Sequence, residues 1–340
     1  MYVRLSGRVR VNAASLNAQG TVGNVIELAR AHILLKINGN YELVEVPVVT
    51  GNSLKHWHFV HFISAYRGLG GKLLCEYCNR LIGYRSPKRE GESEKYFIEK
   101  CAGDDVHGFL QPENNVRRES LVKISFLLPV EGLEARFDTV THNRVVVSEE
   151  GRIERRERDM MLFKRQYASA IYGFSIALDL GYVGKLLYDG KHALVVDEEE
   201  AKRRGKAALL ALLPLLAGEV GASRSRAQPA WRVEEVIAAW ASKPLPPLVH
   251  GHYRDYVEQS VRTLVTFSKL TGTDVELVVY GVSDENLKAL GAIEGEEGRK
   301  EKGESGGGEE KAKVTLAKKS SWQDVIAHLV EKYESSYSSR

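Results

Sequence analysis

Residues 3–11 alternate between apolar and polar side chains, and this pattern constrains the fold more than any other feature of the sequence. One face of the extended segment carries apolar residues and a glycine: Val3, Leu5, Gly7, Val9 and Val11. The other face carries Arg4, Ser6, Arg8 and Arg10. Because successive side chains of a β-strand point to opposite faces, the pattern predicts a strand with one apolar and one basic face.

Further segments indicate a sheet assembled from distant parts of the chain. Alternation returns at 122–128, 133–137 and 172–178, and helical periodicity is present at 54–65 and 322–330. The order strand, helix, strand, strand, helix, strand is typical of a ferredoxin-like arrangement. The predicted fold class is therefore α+β, with a ferredoxin-like antiparallel sheet core and large insertions.

Length and charge narrow the class of protein. The chain has 340 residues and a formal net charge of +3, so any contact with nucleic acid must use a local arrangement of charge. Its three cysteines are too few for a disulfide scaffold at this length. The apolar runs fall well short of the roughly 18 residues that a membrane span needs. The sequence therefore predicts a soluble, cytoplasmic protein with no membrane partner.

The predicted organisation is one split core with long insertions rather than two domains. Residues 291–310 contain seven Gly and seven Glu, a composition that favours disorder. The predicted parts are the first half of the core at 1–67, a mainly helical insertion at 68–120, core strands at 121–143, a second insertion at 144–165, the second half of the core with a glycine loop at 166–290, a disordered Gly/Glu-rich linker at 291–317 and a C-terminal helix at 318–340.

Four motifs follow one another in a definite order along the chain. They are Leu16-Asn17-Ala18 followed by Gly23-Asn24, then Val46-Pro47-Val48-Val49-Thr50-Gly51-Asn52-Ser53-Leu54, then His107-Gly108-Phe109-Leu110 followed by Arg117-Arg118-Glu119-Ser120, and finally a glycine loop that ends in Ser223-Arg224-Ser225-Arg226. Together they resemble the DevR-type CRISPR-associated proteins, the backbone subunit of the archaeal type I-A Cascade complex. The resemblance covers residues 3–230, and it rests on the order of the motifs.

This resemblance implies a palm like an RNA-recognition motif (RRM-like), with helical and thumb-like insertions, the thumb at 144–165. It implies that copies of the chain form a helical filament along one guide RNA (crRNA) together with other Cascade subunits, and present the guide for pairing with target DNA. The subunit would be non-catalytic, with no cofactor. One departure concerns the histidine that family members often carry after the residue matching Phe137, because Asp138 stands there and His142 follows a few residues on.

A subunit that accepts any guide needs contacts to phosphates more than to bases. The segment Thr50-Gly51-Asn52-Ser53 predicts a helix start, where free N–H groups and the helix dipole favour an anion. The alternative is an ordinary helix cap. The glycine loop at 218–226 would let its backbone approach a phosphate, and the alternative there is a plain surface loop. For the arginines of the first strand the alternative is a solvated strand face.

The methionines in the thumb-like insertion are a further candidate contact. They stand in the run Met160-Met161-Leu162-Phe163, and a flexible methionine can wedge between bases of any kind. The alternative is a strand that returns to the core. The complete set of predicted RNA-binding residues is Arg4, Arg8, Asn17, Asn24, Ser53, Lys55, His56, Arg117, Arg118, His142, Arg144, Met160, Met161, Ser223, Arg224 and Arg226.

All three cysteines fall inside the first insertion. Cys75 and Cys78 have the C-x-x-C spacing of a zinc knuckle, and Cys101 with His107 would complete a Cys₃His site. The alternative is that the cysteines are small apolar side chains in a core. The sequence therefore leaves two alternatives open, no cofactor or a zinc site.

Two other functions compete with RNA binding by a scaffold. In a metal-dependent RNA endonuclease like the related type III subunits, Asp104, Asp105 and Asp138 would be the candidate ligands. Two-metal chemistry needs converging carboxylates, and the adjacent pair is expected to diverge. A CRISPR-associated transcriptional regulator is the third possibility, and it is disfavoured because the sequence has no helix-turn-helix pattern with a basic recognition helix.

Overall fold

The computed structural model describes residues 1–84, 93–113, 115–144, 161–221, 228–282 and 313–338. The strands are β1 (Tyr2–Ala14), β2 (Ala18–Val22), β3 (Val25–Leu28), β4 (Arg30–Ile37), β5 (Asn40–Pro47), β6 (Phe109–Gln111), β7 (Val116–Arg118), β8 (Val122–Ile124), β9 (Leu128–Pro129), β10 (Arg136–Arg144), β11 (Met161–Leu178), β12 (Ala230–Ala241), β13 (Val275–Tyr280) and β14 (Val314–Lys318). The helices are α1 (Gly51–Gly68), α2 (Glu76–Asn79), α3 (Glu94–Lys100), α4 (Ala102–His107), α5 (Glu198–Leu210), α6 (Leu212–Leu216), α7 (Tyr256–Thr271) and α8 (Trp322–Ser338).

One large mixed sheet organises most of the strands. Its order is β14-β13-β12-β1-β11-β3-β2, and β8, β9 and β10 also pair with β11. The central neighbours β13, β12, β1 and β11 are antiparallel, whereas β14 runs parallel to β13 and β3 runs parallel to β11. The predicted α+β class is confirmed, but the sheet is antiparallel only at its centre. The ferredoxin-like and RRM-like topology stays a prediction.

Both faces of the sheet are covered, as the alternation along β12 shows. Val236 and Ala238 belong to a core shared with α1, α5, α6 and α8. Ile237, Ala239 and Ala241 point the other way and pack with apolar residues of α7. A strand buried on both faces has a nearly continuous apolar sequence, so β12 lacks the two-residue period of an exposed strand. None of the described helices has the length and apolar character to cross a membrane.

The basic face of β1 is covered rather than exposed. Residues 245–253 cross it, and the Arg4 side chain donates from Nε to the carbonyl of Leu245 at 3.0 Å. The Arg4 guanidinium also forms an ion pair with Asp179 at 2.8 Å. The premise that Arg4 faces RNA or solvent is therefore corrected, because its charge is neutralised inside the protein.

Arg8 is bound internally in the same way. Its Nε donates to the carbonyl of Gly251 at 2.8 Å, and its guanidinium pairs with Glu235 at 3.0 Å. The guanidinium carbon also lies 4.9 Å from the centre of the Tyr256 ring. The predicted basic face thus exists, but Arg4 and Arg8 hold the covering segment, and only Arg10 among its three arginines is exposed, paired with Glu234 at 2.9 Å.

Glycines allow this segment to cross β1 and β11 at very close range. A Cβ atom on Gly251 would lie 2.1 Å from the carbonyl oxygen of Gly7. A Cβ atom on Gly173 would lie 2.1 Å from the carbonyl carbon of Gly251. Since no side chain fits at such distances, the crossing requires glycine at position 173 of β11 and at position 251 of the segment.

The C-terminal part differs from its prediction at one boundary. The predicted linker at 291–317 includes Val314, which is buried and begins β14 beside β13. The Gly/Glu-rich composition ends before this apolar stretch, and residues 283–312 lie outside the described residues. The final helix is confirmed, and Ser321 Oγ accepts from the Asp324 N–H at 3.1 Å as an N-cap does.

A buried histidine pair joins three helices of the core. His58 of α1 is fully buried, and its Nε2 lies 3.1 Å from the carbonyl of Ala208 in α5. Because a carbonyl only accepts, Nε2 carries the proton, and Nδ1 of the neutral ring accepts from His107 Nε2 at 2.9 Å. Burial lowers the pKa of His58 to about 3. The pair is therefore stable in its uncharged form.

We expect the free energy of unfolding to fall as the pH decreases from 6.5 toward 3, because unfolded His58 binds a proton in this range and folded His58 does not. One such group contributes a slope of about 1.4 kcal/mol per pH unit. Urea unfolding at several pH values should give a shallower slope for His58→Gln, by about one proton. Burial also lowers the pKa of His250 to about 4, but His250 is present in both proteins and cancels. Equal slopes would contradict the buried neutral pair.

Candidate nucleic-acid interface

A four-stranded ribbon at one edge of the sheet contains the described strands on either side of the segment predicted to be a thumb. It consists of β2, β3, β10 and the first half of β11, and β10 pairs with β11 from Arg136 opposite Ser169 to Arg144 opposite Met161. The hairpin β2–β3 is attached to β11 through Asn24, whose carbonyl accepts from the Lys164 N–H at 2.7 Å. The ribbon therefore brings Asn24, Arg144 and Met161 onto one structural unit.

The ribbon exposes large apolar side chains beside basic ones. Phe137 is 41% exposed and Leu162 is 48% exposed, while Lys164 is exposed between them in the pairing pattern. The Arg30 guanidinium carbon lies 5.5 Å from the centre of the Phe137 ring. Arg30 is itself paired with Glu27 and Glu45 at 2.9 and 3.0 Å, so Lys164 is the cation that this surface offers. Apolar surface beside such a cation suits stacking on bases and contact with phosphates. The prediction had omitted Phe137 and Lys164, although an alternating segment without an apolar face to bury could have indicated them.

His142 lies on the opposite face of the same strand pair. Its ring stacks on Phe163 with centroids 5.2 Å apart and planes inclined by 17°. Its Nε2 lies 2.9 Å from the Tyr167 hydroxyl. Asp138 shares this face of β10 and is exposed. These contacts orient the His142 ring at the surface of the ribbon.

Four of the predicted contacts lie outside the described residues, namely Met160, Ser223, Arg224 and Arg226. β11 begins at Met161, directly after Met160, and the described part of the glycine loop ends at 221. Their assignment as RNA contacts stays a prediction.

Three of the sequence motifs meet at one place, which we term the junction. The junction comprises residues 15–17, 50–53 and 218–221. Asn17 Oδ1 accepts from the Thr50 N–H at 3.1 Å. A Cβ atom on Gly221 would lie 2.8 Å from the carbonyl oxygen of Leu16, and the φ of +91° at Gly221 also favours glycine. Three motifs that are far apart in the sequence are thus close to one another in the structure.

The start of α1 is an ordinary cap as well as part of the junction. Thr50 Oγ1 accepts from the Ser53 N–H at 3.3 Å. Asn52 and His56 are exposed at this end of the helix, and Lys55 is half-buried. The cap that the sequence left as an alternative is therefore present, and an anion here would meet the first-turn side chains together with the helix dipole.

Arg117 and Arg118 are neighbours in opposite environments. Arg118 is 2% exposed, and its guanidinium makes five hydrogen bonds. The acceptors are the carbonyls of Asp105, Tyr182 and Lys185 and the carboxylates of Asp105 and Glu94. Arg117 is exposed, with its guanidinium carbon 5.4 Å from the Tyr188 ring centre. The interpretation of Arg118 as an RNA contact is corrected, because this guanidinium is buried and saturated with acceptors.

The aspartates considered for catalysis do not converge. Asp105 is fully buried and held by two buried guanidiniums at 2.6 and 2.9 Å. Asp104 is buried as well, with Oδ1 3.8 Å from Cys78 Sγ. Asp138 is exposed on the ribbon. The adjacent pair diverges as predicted, because Asp105 is held by two arginines whereas Asp104 lies beside the cysteines.

The cysteines of the insertion do converge, but without His107. The side chains that lie together, with ligand atoms within 4.8 Å of one another, are Cys75, Cys78, Cys101 and Asp104. His107 is bound to His58 instead. The predicted Cys₃His set is therefore wrong in its fourth member.

Comparison with known proteins decides the family. The model of the family described as "CRISPR-associated negative auto-regulator DevR/Csa2" matches residues 5–261. The chain belongs to the DevR/Csa2 family. The resemblance inferred from motif order is thereby confirmed over most of the chain.

Relatives in this family match between 76% and 83% of this chain. "CRISPR-associated protein Cas7/Cst2/DevR" of Methanocaldococcus jannaschii is 42% identical over 302 residues, 83% of this chain and 94% of that protein. The protein of the same name from Thermoproteus tenax is 40% identical over 295 residues, 83% and 87% of the two chains. "CRISPR-associated aCascade subunit Cas7/Csa2 2" of Saccharolobus solfataricus is 27% identical over 289 residues, 76% and 86%. The DevR/Csa2 chain is thus a Cas7-type CRISPR-associated protein.

Adjacent arginines give a matched test of the buried position. Arg118→Ala should lower the free energy of unfolding by about 3–5 kcal/mol, because it leaves the buried Asp105 carboxylate short of a cation. Arg117→Ala should change it by less than about 0.5 kcal/mol, as exposed substitutions do. Urea denaturation measures both. An Arg118→Ala protein with unchanged stability and weaker RNA binding would contradict the structural role.

Proposed function

We propose that this DevR/Csa2 protein is a non-catalytic crRNA-binding backbone subunit of a type I CRISPR interference complex. Copies polymerise along the guide RNA, bind its phosphates independently of sequence and present it for pairing with target DNA, together with other subunits. The observation that carries the proposal is the ribbon, on which exposed apolar and basic side chains lie together beside the thumb-like insertion. The printed name of the Saccharolobus relative, an aCascade subunit, supports it.

Sequence-independent binding follows from the kind of contact that the ribbon offers. A cation such as Lys164 contacts phosphate whatever the base, and stacking on Phe137 is tolerant of sequence because every base has a π-face. The RNA contacts that we propose, in addition to these two, are Asn24, Lys55, His56, Arg117, His142, Arg144, Met160, Met161, Ser223, Arg224 and Arg226. Asn17 and Ser53 position the junction by their own hydrogen bonds.

A second exposed apolar surface is proposed for contact with the next copy. The β4–β5 hairpin places Leu34 directly opposite Leu43, and these side chains are 62% and 64% exposed. Tyr41 extends the same face with 72% exposure. Clusters of this kind mark protein contacts more often than solvated surface. A repeating copy of the chain is the partner that a filament supplies.

The ribbon is tested by the double variant Phe137→Ala with Lys164→Ala. Both side chains are exposed, so the Tm should not change, whereas affinity for a guide RNA should fall at least tenfold, about 1.4 kcal/mol. Anisotropy titrations at several salt concentrations should also give a salt slope lower by about 0.7, as expected for one lost phosphate contact. Lys269→Ala on α7 is the matched control. An unchanged affinity would contradict the ribbon as the interface.

The natural protein and its variants, tested with RNA and with DNA, also distinguish the proposed function from its two competitors. Cleavage of the RNA that requires Mg²⁺ and is lost in Asp138→Ala would favour the endonuclease. Tighter binding to duplex promoter DNA than to guide RNA would favour the regulator that the family description names. Copurified RNA that remains intact and is released by salt is the result expected for the backbone subunit.

The hairpin is tested by Leu34→Asp with Leu43→Asp. This variant should bind an RNA long enough for one copy as the natural protein does, but should lose cooperative binding to longer RNA, because a buried charge opposes the contact between copies. Particle masses on RNAs of increasing length measure this. Leu270→Asp, at a position that is 81% exposed on α7, controls for surface charge. Equal masses for the double variant and the natural protein would refute the hairpin contact.

A further inference from the structure

Two separate segments of the insertion bring three thiols and one carboxylate to a single point. The Ala102 N–H donates to the Leu73 carbonyl at 2.9 Å, which places Cys101 beside Cys75. The four side chains Cys75, Cys78, Cys101 and Asp104 then offer ligand atoms within 4.8 Å of one another. A spacing of this size is what four ligands around one ion require.

The C-x-x-C segment has the local form of a sulfur-capped turn. Cys75 stands at the N-cap of α2, and its Sγ accepts from the Cys78 N–H at 3.4 Å. The turn closes when the Leu81 N–H donates to the Cys78 carbonyl at 3.1 Å. The turn therefore directs both sulfurs toward one point.

Burial makes the cluster closed on most sides. Cys78 is fully buried, Cys101 is 1% exposed and Asp104 is 2% exposed. A Cβ atom on Gly103 would lie 2.6 Å from Cys78 Sγ, so glycine leaves the room that this sulfur needs. An open cavity of about 320 Å³ adjoins Cys75 and provides a path from solvent.

We propose that these four side chains bind one Zn²⁺ as a Cys₃Asp site that stabilises the insertion. Thiolate sulfur selects zinc over the hard cations Mg²⁺ and Ca²⁺, and four protein ligands leave no open position for catalysis, as in structural sites. The cation offsets the buried carboxylate, which is costly to bury without compensation. Binding releases the thiol protons to solvent, so affinity rises with pH. This site goes beyond RNA binding and does not depend on it.

Metal content of the full-length protein is the first test. Protein freed of RNA with high salt after expression with zinc should contain about one zinc per chain, as structural sites do. Replacement by Co²⁺ should produce the near-ultraviolet band of thiolate-to-cobalt charge transfer. A zinc content near zero with three titratable free thiols would overturn the site. So would a persistent Cys75–Cys78 disulfide in protein purified under reducing conditions.

Single substitutions test which side chains bind the zinc and whether the fourth ligand is Asp104 or His107. Cys101→Ser should weaken the cobalt band, and Asp104→Asn should lower zinc affinity at least tenfold. His107→Gln should retain one zinc, since His107 is bound to His58, and loss of zinc in this variant would contradict the Cys₃Asp set. Glu76→Gln is the matched control, because its side chain is 75% exposed beside the cluster. These readouts need no RNA, so failure of the zinc site and failure of the proposed function are distinguishable.

Discussion

The carboxylate of Asp105 joins parts of the chain that no sheet pairing connects. It accepts from Arg118 of β7 at 2.6 Å and from Arg204 of α5 at 2.9 Å. It also accepts from the Gly184 N–H at 3.0 Å. Both guanidiniums and the carboxylate are fully buried, so each charge depends on the others for compensation. These buried charges therefore attach the first insertion to the core in addition to the apolar contacts of Cys78, Ala102 and Val106.

The same polar chain continues to the helix that begins at the junction. Arg204 Nε donates to Glu200 Oε1 at 2.8 Å, and the Tyr66 hydroxyl donates to that oxygen at 2.5 Å. Tyr66 lies near the end of α1, whose first residue follows Thr50. Asp105 thus helps to hold α1, and α1 in turn presents its start beside Asn17 and the glycine loop. Many of the proposed RNA contacts lie on exposed strands, whereas the helix that begins at the junction is held by this buried network.

The sequence predicted several elements whose polar and apolar residues alternate, whether their polar face is exposed or, as in β1, covered. β1, β11, α1 and α8 carry clear periodicity, whereas β12 is buried on both faces and has a nearly continuous apolar run from 236 to 241. Charge was harder to interpret, because an arginine reveals nothing of its partner. Arg4 pairs with Asp179, far along the chain, and no local pattern predicts that contact. Likewise, the fourth member of the cysteine cluster is Asp104 and not His107, because His107 is bound to His58 of another helix.

The small net charge of +3 bears on how the proposed filament would bind RNA. Because Arg4, Arg8 and Arg118 are neutralised internally, these three cations do not add to the affinity of a single copy for phosphates. When neighbouring copies also contact one another, each additional copy binds as part of one assembly, and avidity exceeds the affinity of any one copy by orders of magnitude. Weak, sequence-independent contacts on the ribbon then suffice, provided that the β4–β5 hairpin supplies the contact between copies. Under the proposed function, contact between copies thus compensates for the small net charge of each chain.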